Sequence, residues 1–307
     1  MRASVPWIGG LASVTLLVPW RAAPARLCPP PVRPPPVRTL RRVVRLPLFA
    51  TLSLGLEAVW LLGWVPARLL GRQEAWRGGV FGFWARTTLA LFGVRVERRG
   101  APPARPGLVV CNHLSYLDVV VLAAHVPCAF VAKREVRSWP VLGALAATMG
   151  TIFVDRERKR DVVRVAELLE RRIAAGQTLV VFPEGTSSPG AEVLPFRPSL
   201  LAPFARSGLP VRYASLRYAT SAGDPPAASS VAWWGDMEFP SHFLGLLGLS
   251  RIDACLVFGE ESLEDSDRKQ LAARLHAAVA ACFEPMNAQD ACPSLPRPTR
   301  TPASARS

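Results

Sequence analysis

From residue 107 onward, short apolar runs alternate with stretches of helical periodicity, and this alternation restricts the possible folds more than any other feature. Residues 108–111, 129–132, 151–154, 178–182, 211–216 and 252–258 read as buried strands, being apolar and too short for amphipathic helices. Between them Val162, Val165, Ala166, Leu169 and Ile173 recur at helical spacing, with Asp161 placed to cap that helix and Gly176 to end it. Leu271, Leu275, Ala278 and Cys282 mark a late amphipathic helix. Strands alternating with helices predict an α/β domain whose central, largely parallel sheet is flanked by helices.

That domain, at 99–284, is preceded by a different kind of chain. Residues 1–40 form a Pro- and Arg-rich extension. Its apolar stretch at 5–20, flanked by Arg2 and Arg21, has the outline of a signal peptide. A membrane-inserting or poorly ordered extension is the preferred reading, because the apolar stretch is short for a span. Residues 41–98 read as membrane-associating helices. The segment at 46–65 is about long enough to cross a bilayer core, is interrupted by Glu57, and is expected to close at Pro66. The next, at 80–94, carries Arg86 in its middle. Ionisable groups in both segments suit helices lying in the interface at least as well as spanning it. Trp60, Trp64, Trp76 and Trp84 suit the headgroup layer. The competing reading is an ordinary helical hairpin packed on the domain. Beyond Glu284 the Pro-rich stretch 285–307 reads as a disordered tail.

Charge and cysteines narrow the setting. The net charge is +14, and residues 1–56 hold eight arginines and no acidic residue. Arginine beside long apolar stretches suits an anionic membrane surface. Nucleic acid is the other usual partner of a basic chain, but no zinc-finger spacing or RNA-binding signature supports it. Cys28, Cys111, Cys128, Cys255, Cys282 and Cys292 are scattered and form no C-x-x-C pair. They read as reduced thiols on the cytosolic side.

The chain has four histidines, His113, His125, His242 and His276, and only His113 follows directly on a predicted buried strand. Asp118 stands five positions on, which in one continuous helix would put the side chains about 140° apart. They can meet only if His113 lies on the loop and Asp118 in the first turn of the next helix. Ser115-x-x-Asp118 has the form of a capping box and supplies that helix start. Asp118 is then either a cap residue alone or the carboxylate that fixes the imidazole's tautomer for proton abstraction from an attacking hydroxyl. Two further strand ends follow, at 150–156 and 181–186. In a parallel sheet they converge on the crevice where ligands bind. His113 with Asp118, Arg156, and Glu184 with Gly185 would meet there. His125, His242 and His276 have no partner pattern. Trp233 and Trp234 read as packing or interfacial anchors.

Asn112-His113-x4-Asp118, Gly150 to Arg156 and Phe182 to Thr186 resemble, in order and spacing, the first three motifs of the glycerolipid acyltransferases. These are the family of 1-acylglycerol-3-phosphate acyltransferases. The resemblance covers roughly residues 95–220. It implies transfer of an acyl group from acyl-CoA or acyl-carrier protein to a lysolipid hydroxyl, with His113 as base and Asp118 supporting it. Asn112 falls in the first motif. By the same likeness Arg156 and Lys133 hold an anionic headgroup, and Glu184, Gly185 and Thr186 shape the acceptor site. The implied partners are membrane lipids, the lysolipid and the thioester co-substrate, with no cofactor, no metal and no nucleic acid. The implied location is the cytoplasmic face of the inner or plasma membrane.

Two departures bear on the acceptor. Family members acting on phosphate monoesters commonly carry Arg where Ser187 stands, and a guanidinium's bidentate grip on phosphate has no equivalent in serine. Tyr213 replaces the second proline of an expected fourth motif. With Leu194 to Arg197 and Trp233 to Met237, the Ser187 form resembles the branch that acylates lyso-ornithine lipids, and Arg197 is placed to supply positive charge. No G-x-S-x-G elbow, H-E-x-x-H or Walker A loop occurs, which argues against the commonest hydrolase, metalloprotease and P-loop classes. A non-catalytic lipid-binding protein on the same fold is the remaining alternative.

Overall fold

The computed structural model describes residues 36–104, 106–139, 142–155 and 159–286. Arg156, the extension up to residue 35 and the tail from residue 287 lie outside the described residues, and so do the expectations attached to them.

Helix α1 (Pro36–Leu69) and helix α2 (Gln73–Phe92) come first. Pro66 does not close the first segment: α1 runs on through Pro47 and Pro66. A proline removes its own donor but keeps its acceptor, and the Pro66 carbonyl accepts from Leu70 N at 3.0 Å. At roughly 1.5 Å per residue α1 is about 50 Å long. It is long and apolar enough to cross a membrane. Leu40, Leu48, Leu54, Leu62 and Leu69 are exposed along it. Its other side packs on the domain, where Phe49 meets Trp84, Phe92 and Phe243. Trp84 donates to Ser53 Oγ at 3.0 Å. Helix α2 buries Phe81, Trp84, Leu89 and Phe92 against the domain and leaves Phe83 and Arg86 exposed.

Gly93, at φ 72°, ends α2 and turns the chain into strand β1 (Val94–Arg99). Then follow β2 (Leu108–Cys111), α3 (Leu117–His125), β3 (Cys128–Lys133), a 3-10 turn (Arg134–Ser138), α4 (Leu142–Thr148) and β4 (Ile152–Val154). Next come α5 (Lys159–Ala174), β5 (Thr178–Val181), α6 (Pro198–Ser207), β6 (Val211–Thr220), α7 (Ala227–Ser230), α8 (Phe239–Leu247), β7 (Ile252–Leu263) and α9 (Arg268–Cys282). The seven strands form one sheet in the order β1-β7-β6-β2-β5-β3-β4. All neighbours are parallel except β6 and β7. The expected largely parallel, helix-flanked sheet is therefore present.

Three local expectations need correction. Helix α5 runs from Lys159, which puts Asp161 within its first turn and not before it. Strands β6 and β7 run several residues further than their apolar cores, because pairing with each other carries them past the buried stretch. Strand β1 has no counterpart in the sequence reading. It alternates only Val94 and Val96 with Arg95, Glu97, Arg98 and Arg99, and an edge strand needs no continuous apolar run.

Candidate active site

Strands β2, β5 and β3 sit side by side and parallel, so their carboxyl ends open on one edge. Strand β2 is buried throughout and stops at Cys111. Asn112 extends it by one pseudo-residue: its amide nitrogen donates to Leu216 O at 2.9 Å and its oxygen accepts from Leu216 N at 2.8 Å. Asn112 is thus wholly engaged with β6, buried, and outside the lining of the cleft. The chain is then free to turn away from the sheet at His113.

His113 lies on that loop and Asp118 in the first turn of α3, with His113 Nδ1 2.8 Å from Asp118 Oδ2. The same oxygen accepts from Leu114 N at 2.7 Å and Ser115 N at 3.0 Å, and Tyr218 OH donates to Oδ1 at 2.8 Å. Asp118 is completely buried, and four donors satisfy it. The two readings of Asp118 therefore coexist. Its bond to Ser115 N is one arm of the capping box, while Asp118 N donates to Ser115 O at 3.1 Å and Ser115 Oγ accepts from Leu117 N at 3.3 Å instead, and its bond to His113 adds the imidazole. A carboxylate at Nδ1 selects the Nδ1–H tautomer, which leaves Nε2 with a free lone pair. The imidazole stacks on Phe182 at 4.2 Å between ring centres and 16° between planes, which fixes its rotation.

Around this pair, three loops are tied in a ring. Ser188 N donates to His113 O at 3.0 Å, Trp233 N donates to Leu114 O at 2.8 Å, and the Ser187 hydroxyl donates to Trp233 O. Glu184 follows β5, and its Oε1 accepts from His113 N at 3.0 Å. Burial pushes its carboxyl up to about pH 8, with the Asp118 charge adding to the shift and the His113 N–H opposing it. Gly185, at φ 76°, makes the sharp turn after it. Arg197 is exposed, and its Nε donates to Glu184 O at 3.2 Å.

The resulting cleft holds about 1120 Å³ of unfilled space open to solvent. His113, Lys133, Gly185 and Thr186 line it among the expected residues, whereas Asn112, Asp118, Glu184 and Arg197 do not. The end of β3, carrying Lys133, joins those of β2 and β5; β4, the edge strand beside β3, leads to Arg156, which lies outside the described residues. Arg134 pairs with Asp155 at 3.1 Å, and Arg137 lies over the Phe153 ring. Among the described residues, no cluster of His, Cys, Asp and Glu could hold a metal ion.

Sequence reasoning missed several aromatic and polar groups. Tyr218 lies 100 positions from the carboxylate it holds, and no local pattern links them. Tyr116 lines the cleft, and its hydroxyl lies 3.1 Å from His242 Nδ1. His242 Nε2 is 3.0 Å from Ala232 O, so Nε2 carries the proton and Nδ1 accepts from the tyrosine. Burial lowers the pKa of this imidazole, in keeping with that neutral form. Trp233 and Trp234 also line the cleft. His125 and His276 bond only to backbone carbonyls, as expected of structural residues.

The site is thus a histidine–carboxylate pair at the edge of an open, largely apolar cleft. The acyltransferase family model matches residues 60–212. A lyso-ornithine lipid O-acyltransferase from Rhodobacter capsulatus is 37% identical over 218 residues, covering 69% of this chain and 78% of its own length. A 1-acyl-sn-glycerol-3-phosphate acyltransferase from Neisseria meningitidis is 30% identical over 200 residues, covering 64% and 77%. The crystal structure of the 1-acyl-sn-glycerophosphate acyltransferase from Thermotoga maritima superposes with a TM-score of 0.59 over 80% of this chain and 97% of that one. At 19% identity it speaks for the fold alone. This chain belongs to the glycerolipid acyltransferase family and is an O-acyltransferase.

Proposed function

We propose that the enzyme transfers a fatty acyl group from acyl-CoA or acyl-carrier protein to the free hydroxyl of a lysolipid, with lyso-ornithine lipid as the preferred acceptor. The observation that carries the mechanism is the His113–Asp118 contact, which engages Nδ1 and leaves Nε2 for the substrate. Nε2 takes the hydroxyl proton as the oxygen attacks the thioester carbonyl, forming the ester bond as the carbon–sulfur bond breaks. The buried carboxylate stabilises the imidazolium, which returns the proton to the departing thiolate. Phe182 and the Glu184 contact to His113 N hold the loop in register. Thr186 and Lys133 border the acceptor, with Lys133 and Arg156 for its anionic group. Gly185 and Arg197 shape the third-motif loop, and Asn112 positions His113 through β6. No metal or cofactor takes part.

Two observations favour lyso-ornithine lipid. The relatives at 37%, 35% and 33% identity from Rhodobacter capsulatus, Brucella abortus and Rhizobium meliloti all carry that name. Ser187, where a phosphate-binding arginine is common, is engaged with Trp233 O. The relative from Neisseria meningitidis supports the second reading, lysophosphatidate as acceptor. The exposed apolar side of α1 supports attachment to a membrane, and the proposed acyl-CoA or acyl-carrier-protein donor goes with an active site on its cytoplasmic face. Thiol release by detergent-solubilised enzyme, given palmitoyl-CoA or palmitoyl-acyl-carrier protein and a lysolipid panel, tests the proposal. Release that needs lyso-ornithine lipid, and exceeds release with lysophosphatidate, is the expected result. Equal or greater release with lysophosphatidate would reverse the acceptor assignment.

A further inference from the structure

Resting on that acceptor reading, we infer that the tryptophan corner of the cleft is a recognition site for the ammonium group of a zwitterionic headgroup. Trp139, Trp233 and Trp234 all line the cleft with His113. Trp139 and Trp233 meet edge to face, 5.6 Å between ring centres and 87° between planes, which forms a corner with two perpendicular walls. Trp234 is the most open of these aromatic groups, at 39% exposure.

What these side chains can offer a ligand is decided by what they have already bonded. Trp233 Nε1 donates to Met237 O at 2.8 Å and Trp234 Nε1 donates to Ala228 O at 3.1 Å. Both indole N–H groups are engaged, so neither offers a donor to an anion. Ser187, the position from which an arginine would reach a phosphate, has its hydroxyl engaged with Trp233 O. Among the described lining residues Lys133 is the one cation. At the tryptophan corner a phosphate gains no donor from Trp233 or Trp234 and is repelled by the electron-rich faces of the indoles. An ammonium group gains from those faces, where a cation within about 6 Å of a ring centre is attracted by the ring quadrupole. An amino-acid headgroup with a carboxylate and a side-chain ammonium satisfies both ends, the carboxylate at Lys133 and the ammonium at the indoles.

The wall is also fixed relative to the chemistry. Trp233 is bonded at N to Leu114 O and at O to Ser187, both within the ring of loops that holds His113. Ser187 is therefore a positioning residue for the wall.

The test compares kcat/KM of the detergent-solubilised full-length enzyme for lyso-ornithine lipid and for the same lipid with its side-chain amine acetylated. Both carry the same acceptor hydroxyl. We expect the charged substrate to be favoured about tenfold, the scale of a partly desolvated cation–π contact. Trp234→Leu abolishes the preference, and Trp234→Phe keeps most of it. Equal use of the two lipids by the wild-type enzyme would overturn the inference and leave the acceptor reading standing, the wall then serving hydrocarbon. A preference that survives Trp234→Leu would also overturn it. Acylation of neither lipid, with lysophosphatidate acylated, would remove the acceptor reading and this inference together.

Discussion

Two parts of the cleft are built on opposite principles. Around His113, one fully buried carboxylate collects four hydrogen bonds, and the imidazole is held by that carboxylate, a stacked ring and two backbone ties. Elsewhere along the cleft Lys133, Thr186 and Trp234 are exposed. Buried polar networks lock geometry because each broken bond leaves an unsatisfied group in low dielectric. Open walls tolerate exchange. The buried network is thus the rigid part of the cleft and the exposed residues the permissive part.

Asp118→Asn should have the largest effect of the changes that break this contrast. An asparagine oxygen can still accept from Leu114 and Ser115, and its amide can donate to the Tyr218 oxygen, so the loop survives. Loss of the charge behind the imidazole should lower kcat for thiol release by about 10²–10⁴-fold, with vesicle binding unchanged. Near-normal turnover would reduce Asp118 to a cap. Next is Tyr218→Phe, which strips one donor from a buried carboxylate and should cost about 1–3 kcal/mol of stability in denaturant titration.

Glu184 gives a pH signature. Its folded-state pKa is about 8, against an ordinary value of 4.5, because burial penalises the charged form. Between those values the folded chain retains a proton that the unfolded chain has lost, so stability falls as pH rises through that window, by at most about 1.4 kcal/mol per unit. Glu184→Gln has no such proton. The difference in stability between wild type and variant should therefore move in the variant's favour from pH 5 to pH 8, and a pH-independent difference would contradict the assignment. The smallest effect is expected in the permissive part: Ser187→Arg should raise the use of lysophosphatidate relative to lyso-ornithine lipid while folding is preserved. An unchanged ratio would count against the reading of Ser187.

How much of this was legible in the sequence follows the same division. Strands whose residues are buried on both faces advertise themselves as apolar runs, and the motifs at their ends are local, so the α/β layers and the meeting of His113 with Asp118 could be read directly. Strand β1 could not, since an edge strand rich in arginine carries little apolar signal. Tyr218 and His242 reach their partners across 100 and 126 positions, a relation that only folding creates. Trp233 and Trp234 were visible as residues, but their place beside His113 depends on backbone ties to Leu114 and Ser187 that no spacing reveals. The sequence presents the cap and the imidazole partner as alternatives for Asp118, whereas a carboxylate with several lone pairs bonds to both.

The central claim is that His113 is the base. The most direct measurement is the lysolipid-dependent rate of thiol release by His113→Ala beside wild type at saturating palmitoyl-CoA, with folding checked by thermal unfolding. A loss of about 10²–10⁴-fold in kcat, the usual worth of a positioned base, with folding intact, is the predicted result. A folded variant that keeps wild-type turnover would contradict it.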